Sequence, residues 1–151
     1  MINHIEKIVS GGQTGVDRAG LDVALELGIP CGGWCPKGRR AIDGVIPAKY
    51  PLKETETQEY KERTRLNVLD SDGTLILNRG ELSGGTKYTV DIAKSEVKPY
   101  LIVALDRSPD PQAVIAWIKH NDIHTLNVAG PREEGCPGIY DQAVNFLREI
   151  L

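Results

Sequence analysis

The sequence lacks most of the features that mark secreted, membrane-spanning and nucleic-acid-binding proteins. No apolar run approaches the roughly 18 residues of a membrane-spanning helix, and no secretory leader pattern opens the chain. The 21 acidic residues outnumber the 18 basic ones, so a general nucleic-acid-binding face is not favoured. Three cysteines are an odd number, and we interpret Cys31, Cys35 and Cys136 as small buried residues, with a soft-metal role as the alternative. We therefore expect a cytoplasmic protein with reduced thiols and neither a membrane nor a nucleic-acid partner.

Several catalytic and nucleotide-binding motifs are also missing. No segment fits the Gly-x-Gly-x-x-Gly pattern of dinucleotide-binding folds or the P-loop of NTPases. The Gly-x-Ser-x-Gly elbow of many hydrolases is absent as well. His4, His120 and His124 lack the spacing of metal ligands, and we interpret them as surface or core residues. These patterns predict no metal site and assign no catalytic residue.

What the sequence has in excess is glycine. The chain of 151 residues contains 16 glycines and 9 prolines, but only one phenylalanine and one methionine. Its 40% hydrophobic and 26% charged residues are typical of an ordinary globular domain, and its length predicts one domain over residues 1–151. Glycine at this density, without a collagen period, indicates backbone that turns tightly or approaches another group closely.

Apolar runs typical of buried strands alternate with helical patterns along the whole chain. Strands are predicted at residues 5–9, 31–35, 74–77, 101–104 and 125–129. Helices are predicted at residues 16–27, 57–69, 87–98, 112–120 and 138–151. Strands that are apolar on both faces belong to parallel sheets covered by helices on both sides. The predicted fold is therefore an α/β, Rossmann-like three-layer sandwich with a mainly parallel sheet flanked by helices.

Three glycine-containing loops follow predicted strands, at the carboxyl ends where ligands bind in such folds. The loops are residues 11–15, 83–86 and 130–132. The first two precede predicted helices, and a helix N-terminus offers free backbone N–H groups and a partial positive charge to a phosphate. Glycine lets the backbone approach the anion, and Arg132 in the third loop can clamp an oxyanion. Together the loops predict an anion-binding site.

A second cationic feature lies between Lys37 and Lys53, where five basic residues and one acid give a local charge of +4. This segment suits a small anion better than a polyanion; the alternative is a solvated loop. Trp34 is a candidate to stack on a flat heterocycle, and Asp17 is either a ligand contact or a carboxylate that the helix dipole favours. The candidate ligand-binding residues are Gly11, Gly12, Gln13, Thr14, Gly15, Asp17, Arg18, Lys37, Arg39, Arg40, Ser83, Gly84, Gly85, Thr86, Gly130 and Arg132.

Two blocks of the sequence are distinctive. Residues 10–20 read Ser-Gly-Gly-Gln-Thr-Gly-Val-Asp-Arg-Ala-Gly, and residues 33–40 read Gly-Trp-Cys-Pro-Lys-Gly-Arg-Arg. With residues 43–47, 50–55, 70–74 and 127–132, and with Arg63, Thr64 and Asn67, they resemble the molybdenum-cofactor carrier family. The similarity covers nearly the whole chain. That family is similar to a Rossmann-like superfamily that includes lysine-decarboxylase-like phosphoribohydrolases and DNA-processing proteins.

The resemblance implies a protein that binds and protects molybdenum cofactor, an anionic ligand with a flat pterin, a dithiolene, molybdenum and a terminal phosphate. It also implies a homo-oligomer, either a dimer or a tetramer, with molybdoenzymes as partners. From the family we carry over residues 11–15 and Asp17 for the first loop, and Gly84, Gly85 and Thr86 for the second. The basic residues carried over as further contacts are Lys37, Arg39, Arg40 and Arg132.

One stretch departs from the related phosphoribohydrolases, which have Pro-Gly-Gly-x-Gly-Thr-x-x-Glu. Here residues 82–89 read Leu-Ser-Gly-Gly-Thr-Lys-Tyr-Thr, so Thr89 stands where those enzymes have glutamate. A carboxylate for glycosidic-bond cleavage is missing there, although Asp17 or Asp91 could supply one. A carrier is therefore the first hypothesis. The alternatives are a nucleotide-processing enzyme, such as a nucleoside-phosphate hydrolase, and a nucleotide-sensing domain.

Overall fold

A five-stranded parallel sheet forms the centre of the protein, whose computed structural model describes residues 5–151. In chain order the strands are β1 (Lys7–Val9), β2 (Cys31–Gly32), β3 (Trp34–Cys35), β4 (Arg40–Ala41), β5 (Gly44–Val45), β6 (Lys53–Glu54), β7 (Gly73–Asn78), β8 (Tyr100–Ala104) and β9 (Thr125–Ala129). Five of them form the sheet in the order β2-β1-β9-β7-β8, and every neighbouring pair is parallel. His4, interpreted above as a surface or core residue, lies outside the described residues.

Helices cover both faces of this sheet. They are α1 (Val16–Leu27), α2 (Tyr60–Leu69), α3 (Gly84–Ser95), α4 (Pro111–His120) and α5 (Ile139–Ile150), with a short 3-10 turn at Glu133–Gly135. Helix α5 packs against α1 and α4, whereas α2 packs against α3. Val128 of β9 lies under Gly20 of α1, and because strand side chains alternate, its neighbour Asn127 points to the other layer. The predicted α/β sandwich is confirmed.

Helix α3 begins three residues earlier than predicted, at Gly84 rather than at residue 87. Ser83 before it is extended. The prediction excluded the two glycines because glycine destabilises a helix interior. In the first turn, however, the backbone N–H groups have no partner within the helix in any case. The second glycine loop is therefore the first turn of α3.

Residues 29–59 form a small second layer rather than a long irregular loop. The predicted strand at residues 31–35 is divided by Gly33 into β2, which joins the main sheet, and β3, which pairs with β6. Strands β4 and β5 form a two-residue hairpin ladder. A separate apolar cluster lies beneath this layer and consists of Leu21, Cys35, Ala41, Ile46 and Tyr50. Packing against α1 thus holds the segment in place.

Within residues 5–151, no helix combines the length and the apolar character needed to cross a membrane. Cys31, Cys35 and Cys136 are free thiols; Cys35 and Cys136 are buried and Cys31 is half-buried. Desolvation raises the pKa of the Cys31 and Cys35 thiols. Both therefore remain protonated at neutral pH and pack as small apolar side chains.

Candidate functional site

A cavity of about 740 Å³ opens at the carboxyl end of the sheet. It lies beside β9, the central strand. The chain continues from β1 to β2 on one side of β9 and from β7 to β8 on the other, so the strand order reverses here. The ends of β1, β7 and β9 form its floor, α2 and the start of α3 form its walls, and residues 130–136 close a third side. Small-molecule sites commonly measure about 300–1,000 Å³, so this volume suits a nucleotide-sized ligand. We call it the central cavity.

The N-terminus of α3 faces the central cavity. Ser83, Gly84, Gly85 and Thr86 all line it. Apart from the chain neighbours and the nearby backbone of α3 itself, no described atom lies within 4 Å of the position that a Cβ on Gly84 or Gly85 would take. The first turn of the helix carries no acidic residue. Its backbone N–H groups and the positive end of its dipole are therefore accessible to an anion.

Arg63 brings a buried positive charge to the base of the cavity. This α2 side chain is only 8% exposed. Its Nη1 donates a 2.7 Å hydrogen bond to the carbonyl oxygen of Gly11, and its guanidinium lies 5.0 Å from the ring centre of Tyr60. A Cβ on Gly11 would lie 2.6 Å from Nη1 of Arg63, so the close approach requires glycine. Arg63 thereby ties the first glycine loop to α2.

Three further cations line the central cavity, namely Lys61, Arg79 and Arg132. Arg132 is exposed and makes no hydrogen bond or ion pair with the residues that the structure describes. The acidic residues in the lining are Asp17 and Glu81. With Arg63, four cations face two acids, so the lining carries a net positive charge that favours an anionic ligand.

The floor carries two buried amides whose hydrogen-bonding capacity is only partly used. Asn127 is 3% exposed, and its Nδ2 donates to Oγ1 of Thr74 at 3.2 Å. Asn78 is 4% exposed, and its Nδ2 donates to the carbonyl oxygen of Gly80 at 3.0 Å. Neither Oδ1 accepts a hydrogen bond from a described residue. In the described part of the chain, every side-chain oxygen that is fully enclosed has a hydrogen-bond partner. These two oxygens have none, so they are not fully enclosed and are reachable from the cavity.

Asp17 adds a buried carboxyl group to the same lining. Its Oδ2 accepts the N–H of Gln13 at 3.3 Å and lies 3.9 Å from Nη1 of Arg63. Desolvation raises the pKa of Asp17 to about 6, against the opposing effects of Arg63, the Gln13 N–H and Arg18. The other oxygen, Oδ1, accepts no hydrogen bond from the described part of the chain. At neutral pH this group is therefore mostly ionised, with one oxygen available to a donor from the cavity.

The first glycine loop presents less backbone to the cavity than the second. Gly11 and Gln13 line the central cavity, whereas Gly12, Thr14 and Gly15 do not. The third loop covers the N-terminus of α1, because the N–H of Val16 donates to the carbonyl oxygen of Pro131 at 3.2 Å. Arg18 is engaged as well, in a paired contact with both carboxylate oxygens of Asp43 at 2.8 and 2.9 Å. Of the two predicted phosphate loops, the start of α3 is therefore the more accessible.

Lys37, Arg39 and Arg40 of the basic segment do not line the central cavity. Arg39 instead holds the segment together: its guanidinium donates at 2.8–3.2 Å to the carbonyl oxygens of Ile46, Pro47, Tyr50 and Leu52. Arg40 donates to the carbonyl oxygen of Gln58 and lies 5.0 Å from the ring of Tyr60. These hydrogen bonds would have to break before the basic segment could move over a ligand in the central cavity.

The substitution Arg39→Lys is expected to lower the free energy of unfolding by about 1–2 kcal/mol, because an ammonium group cannot reproduce four forked contacts. Urea denaturation measures the loss, and faster proteolysis within residues 46–52 would locate it. Arg40→Lys is the matched control, since Arg40 is exposed and should change stability by less than about 0.5 kcal/mol. Equal losses in the two variants would contradict the anchoring role of Arg39.

The aromatic residues that line the cavity are Tyr60 and Tyr88, not Trp34. Nε1 of Trp34 donates to Asp70 at 2.7 Å, and Nζ of Lys53 lies 5.5 Å from its ring centre. Trp34 is thus already engaged by protein groups. Among the described residues, no group of three or more His, Cys, Asp or Glu side chains is arranged to hold a metal ion.

Sequence reasoning missed the floor and the α2 wall of the cavity. The sequence indicates Arg63 only as part of a family block, and no motif marks Asn78 or Asn127 as ligand contacts. Asn127 interrupts the apolar run of β9, and Asn78 ends the apolar run of β7. A polar side chain at a doubly buried strand position is unusual, and this was the signal that could have identified them.

The comparisons with known proteins agree with the fold and with the sequence blocks. The family described as circularly permutated YpsA SLOG matches residues 8–151. The crystal structure of a protein from Syntrophus aciditrophicus, named "Putative molybdenum carrier protein", superposes on this chain with a TM-score of 0.96. The two sequences are 46% identical over 99% of this chain and 96% of that chain. No curated protein matches the sequence.

These matches confirm the resemblance to the molybdenum-cofactor carrier family that the glycine-rich blocks indicated. The family match begins within β1 and extends over the other four strands of the main sheet and all three glycine loops. It includes both Asp17 and the open first turn of α3. The chain therefore belongs to the circularly permutated YpsA family of SLOG proteins.

Proposed function

We propose that the central cavity binds molybdenum cofactor, or a related phosphorylated pterin or nucleotide, and that the protein carries and protects this ligand. The single observation that carries the proposal is the accessible N-terminus of α3 in a cavity lined by four cations. In this proposal the terminal phosphate contacts the N–H groups of residues 83–86, and Arg132 neutralises its charge. Assembly as a dimer or tetramer and transfer of the cofactor to molybdoenzymes belong to the same proposal.

The lining residues fit such a ligand at both of its ends. A charge-assisted hydrogen bond contributes about 1.5–3 kcal/mol, so three or four of them suffice for micromolar affinity. The rings of Tyr60 and Tyr88 line the cavity and offer apolar surface to a flat heterocycle. The name of the Syntrophus aciditrophicus relative supports the carrier role for this chain.

A second candidate function is hydrolysis of a nucleoside phosphate, and the position of Asp17 favours it. A buried carboxyl group whose pKa lies near 6 is a suitable general base, and it lies in the same cavity as the start of α3. Asp91 does not line the cavity and pairs with Lys87 at 3.1 Å instead. Release of ribose 5-phosphate from a panel of nucleoside monophosphates would support this function, and no release across the panel would count against it.

The substitution Gly85→Asp tests the phosphate contact. It is expected to weaken binding of guanosine 5′-monophosphate (GMP) about 10- to 100-fold, because a carboxylate in the first turn of α3 repels the phosphate. The helix itself should not suffer, since the added side chain enters open space and an acidic group stabilises a helix N-terminus. Isothermal titration calorimetry with GMP and neopterin monophosphate measures the effect, and thermal unfolding verifies the fold.

Gly85→Asn is the matched control, because it has nearly the same shape without the charge. It should bind GMP within about threefold of the unmodified protein, as a neutral amide lacks the repulsion. Equal affinity of the Asp and Asn variants would contradict phosphate binding at α3. Molybdenum and oxidised pterin measured in the freshly purified protein then distinguish the cofactor from a nucleotide as the natural ligand.

A further inference from the structure

The deep end of the central cavity is rich in hydrogen-bond acceptors, in contrast to its cationic rim. Oδ1 of Asp17 faces the cavity without a donor from the described residues, and so do the Oδ1 atoms of Asn78 and Asn127. As whole residues, all three are more than nine-tenths buried. A ligand that fills this region is favoured when it presents hydrogen-bond donors, N–H or O–H, to these oxygens, because buried acceptors without donors are costly.

The lining of the same cavity also contains a side-chain donor, the amide of Gln13. Oε1 of Gln13 already accepts the N–H groups of Thr14 and Ile42, at 3.1 and 3.0 Å. These two bonds fix the amide, so that its Nε2 is the end with donor capacity left. No described residue accepts a hydrogen bond from Nε2, and Gln13 lines the cavity. The backbone N–H of Gln13 holds the carboxylate of Asp17, and the two residues line the same cavity.

This arrangement is complementary to one class of heterocycle. A 2-amino-4-oxopyrimidine ring presents an amino group, a ring N–H and a carbonyl oxygen along one edge. A carboxylate can accept from the amino group and the ring N–H together, while an amide donor reaches the carbonyl. Guanine and pterins contain this ring. Adenine has an unprotonated ring nitrogen at the corresponding edge, and that nitrogen would face the carboxylate as a second acceptor.

We propose that Asp17 selects ligands with a 2-amino-4-oxopyrimidine ring by accepting hydrogen bonds from their ring N–H and amino group, while Nε2 of Gln13 donates to their carbonyl. This inference rests on the proposed function, because the same ligand places its phosphate at α3. It adds the recognised ring and the residue that recognises it. Arg63, 3.9 Å from the carboxylate, keeps Asp17 charged without occupying Oδ1.

The first test compares nucleotides that differ only at the recognised edge. Inosine monophosphate (IMP) lacks only the 2-amino group, and adenosine monophosphate (AMP) lacks the 2-amino group, the ring N–H and the carbonyl. The unmodified protein should bind GMP about 10-fold more tightly than IMP and about 100-fold more tightly than AMP, as measured by calorimetry. Neopterin monophosphate, measured against GMP, shows which source of the ring the cavity prefers. Equal affinity for GMP, IMP and AMP would overturn the inference.

The substitution Asp17→Asn provides the second test. An asparagine offers one acceptor and one donor, which matches the ring N–H and the 2-oxo group of xanthosine monophosphate (XMP). The variant should lose about 10- to 100-fold in GMP affinity and should bind XMP more tightly than GMP. A gain in XMP binding cannot result from misfolding. Asp91→Asn removes an exposed charge outside the cavity and should leave the GMP-to-XMP preference unchanged.

The outcomes separate this inference from the proposed function. Ring selectivity that Asp17→Asn reverses would support both. Binding of phosphorylated ligands that Gly85→Asp weakens, but without ring selectivity or without its reversal in Asp17→Asn, would overturn the role of Asp17 and leave the phosphate site standing. Failure of GMP, XMP and neopterin monophosphate to bind at all would overturn the proposed function and this inference with it.

Discussion

The substitution Gly15→Ala is expected to lower the free energy of unfolding by at least about 3 kcal/mol. Gly15 has a φ of 82° and a ψ of −130°, a backbone conformation outside the left-handed helical region that costs residues with a Cβ about 1–3 kcal/mol. A Cβ there would also overlap the carbonyl oxygen of Pro131 and lie 2.7 Å from the nitrogen of Glu133. Both are backbone atoms, so no side-chain rotation relieves the overlap and the third loop must move. Urea denaturation followed by circular dichroism measures the loss.

Gly28→Ala is the control for a positive φ without an overlap. Gly28 ends α1 with a φ of 73° and a ψ of 22°, in the left-handed helical region, and no described atom beyond its two chain neighbours lies within 4 Å of its Cβ position. The variant should lose only about 1 kcal/mol, because the strain is partly offset by the lower entropy of the unfolded chain. Similar losses at both positions would show that the third loop does not press on the start of α1.

The sheet and its helices could be predicted because their signals are local. Residues 74–77 and 125–129 are apolar runs of strand length, and α1 has apolar positions at helical spacing with Gly28 at its end. The start of α3 could not be placed in the same way, because Ser83 gives no side-chain cap and the first turn contains two glycines. Propensity disfavours glycine in a helix, but an accessible first turn tolerates it.

The site was only half predictable because its parts come from distant segments. The glycine loops follow strands, so their convergence at one edge is a consequence of parallel topology. No such rule predicts the α2 wall. Arg63 reaches the cavity because α2 packs against β3 and the guanidinium of Arg63 donates to the carbonyl oxygen of Gly11. The contacts of Arg39 also depend on the folded structure. Its charge predicts an anion contact, and in the structure its guanidinium donates to four carbonyl oxygens of its own segment. The sequence shows that Arg39 and Arg63 are positively charged, but only the folded structure shows which groups they contact.

The substitution Asp17→Asn is expected to stabilise the protein more at pH 7.5 than at pH 4, by a difference of about 2–3 kcal/mol. Burial raises the pKa of Asp17 from 3.8 to about 6, although Arg63 and Arg18 favour the charged form. The folded protein therefore holds this proton more tightly than the unfolded chain does. The cost of ionising Asp17 is absent below about pH 4, grows as the pH rises to 6, and is constant above that. Asparagine has no such cost.

Comparing the two pH values cancels whatever the variant changes at both of them, such as any change in the packing of the side chain; the attraction of Arg63 for the charged form is already contained in the pKa of Asp17. Urea denaturation of both proteins at pH 4, 5, 6 and 7.5 measures the profile, and the difference should rise across the window from pH 4 to 6. Asp91→Asn is the matched control, because this carboxyl group is half exposed beside Lys87 and its removal should give a nearly flat profile. A flat profile for Asp17→Asn as well would mean that water reaches this carboxylate. In that case Asp17 would act at the cavity surface rather than within its floor.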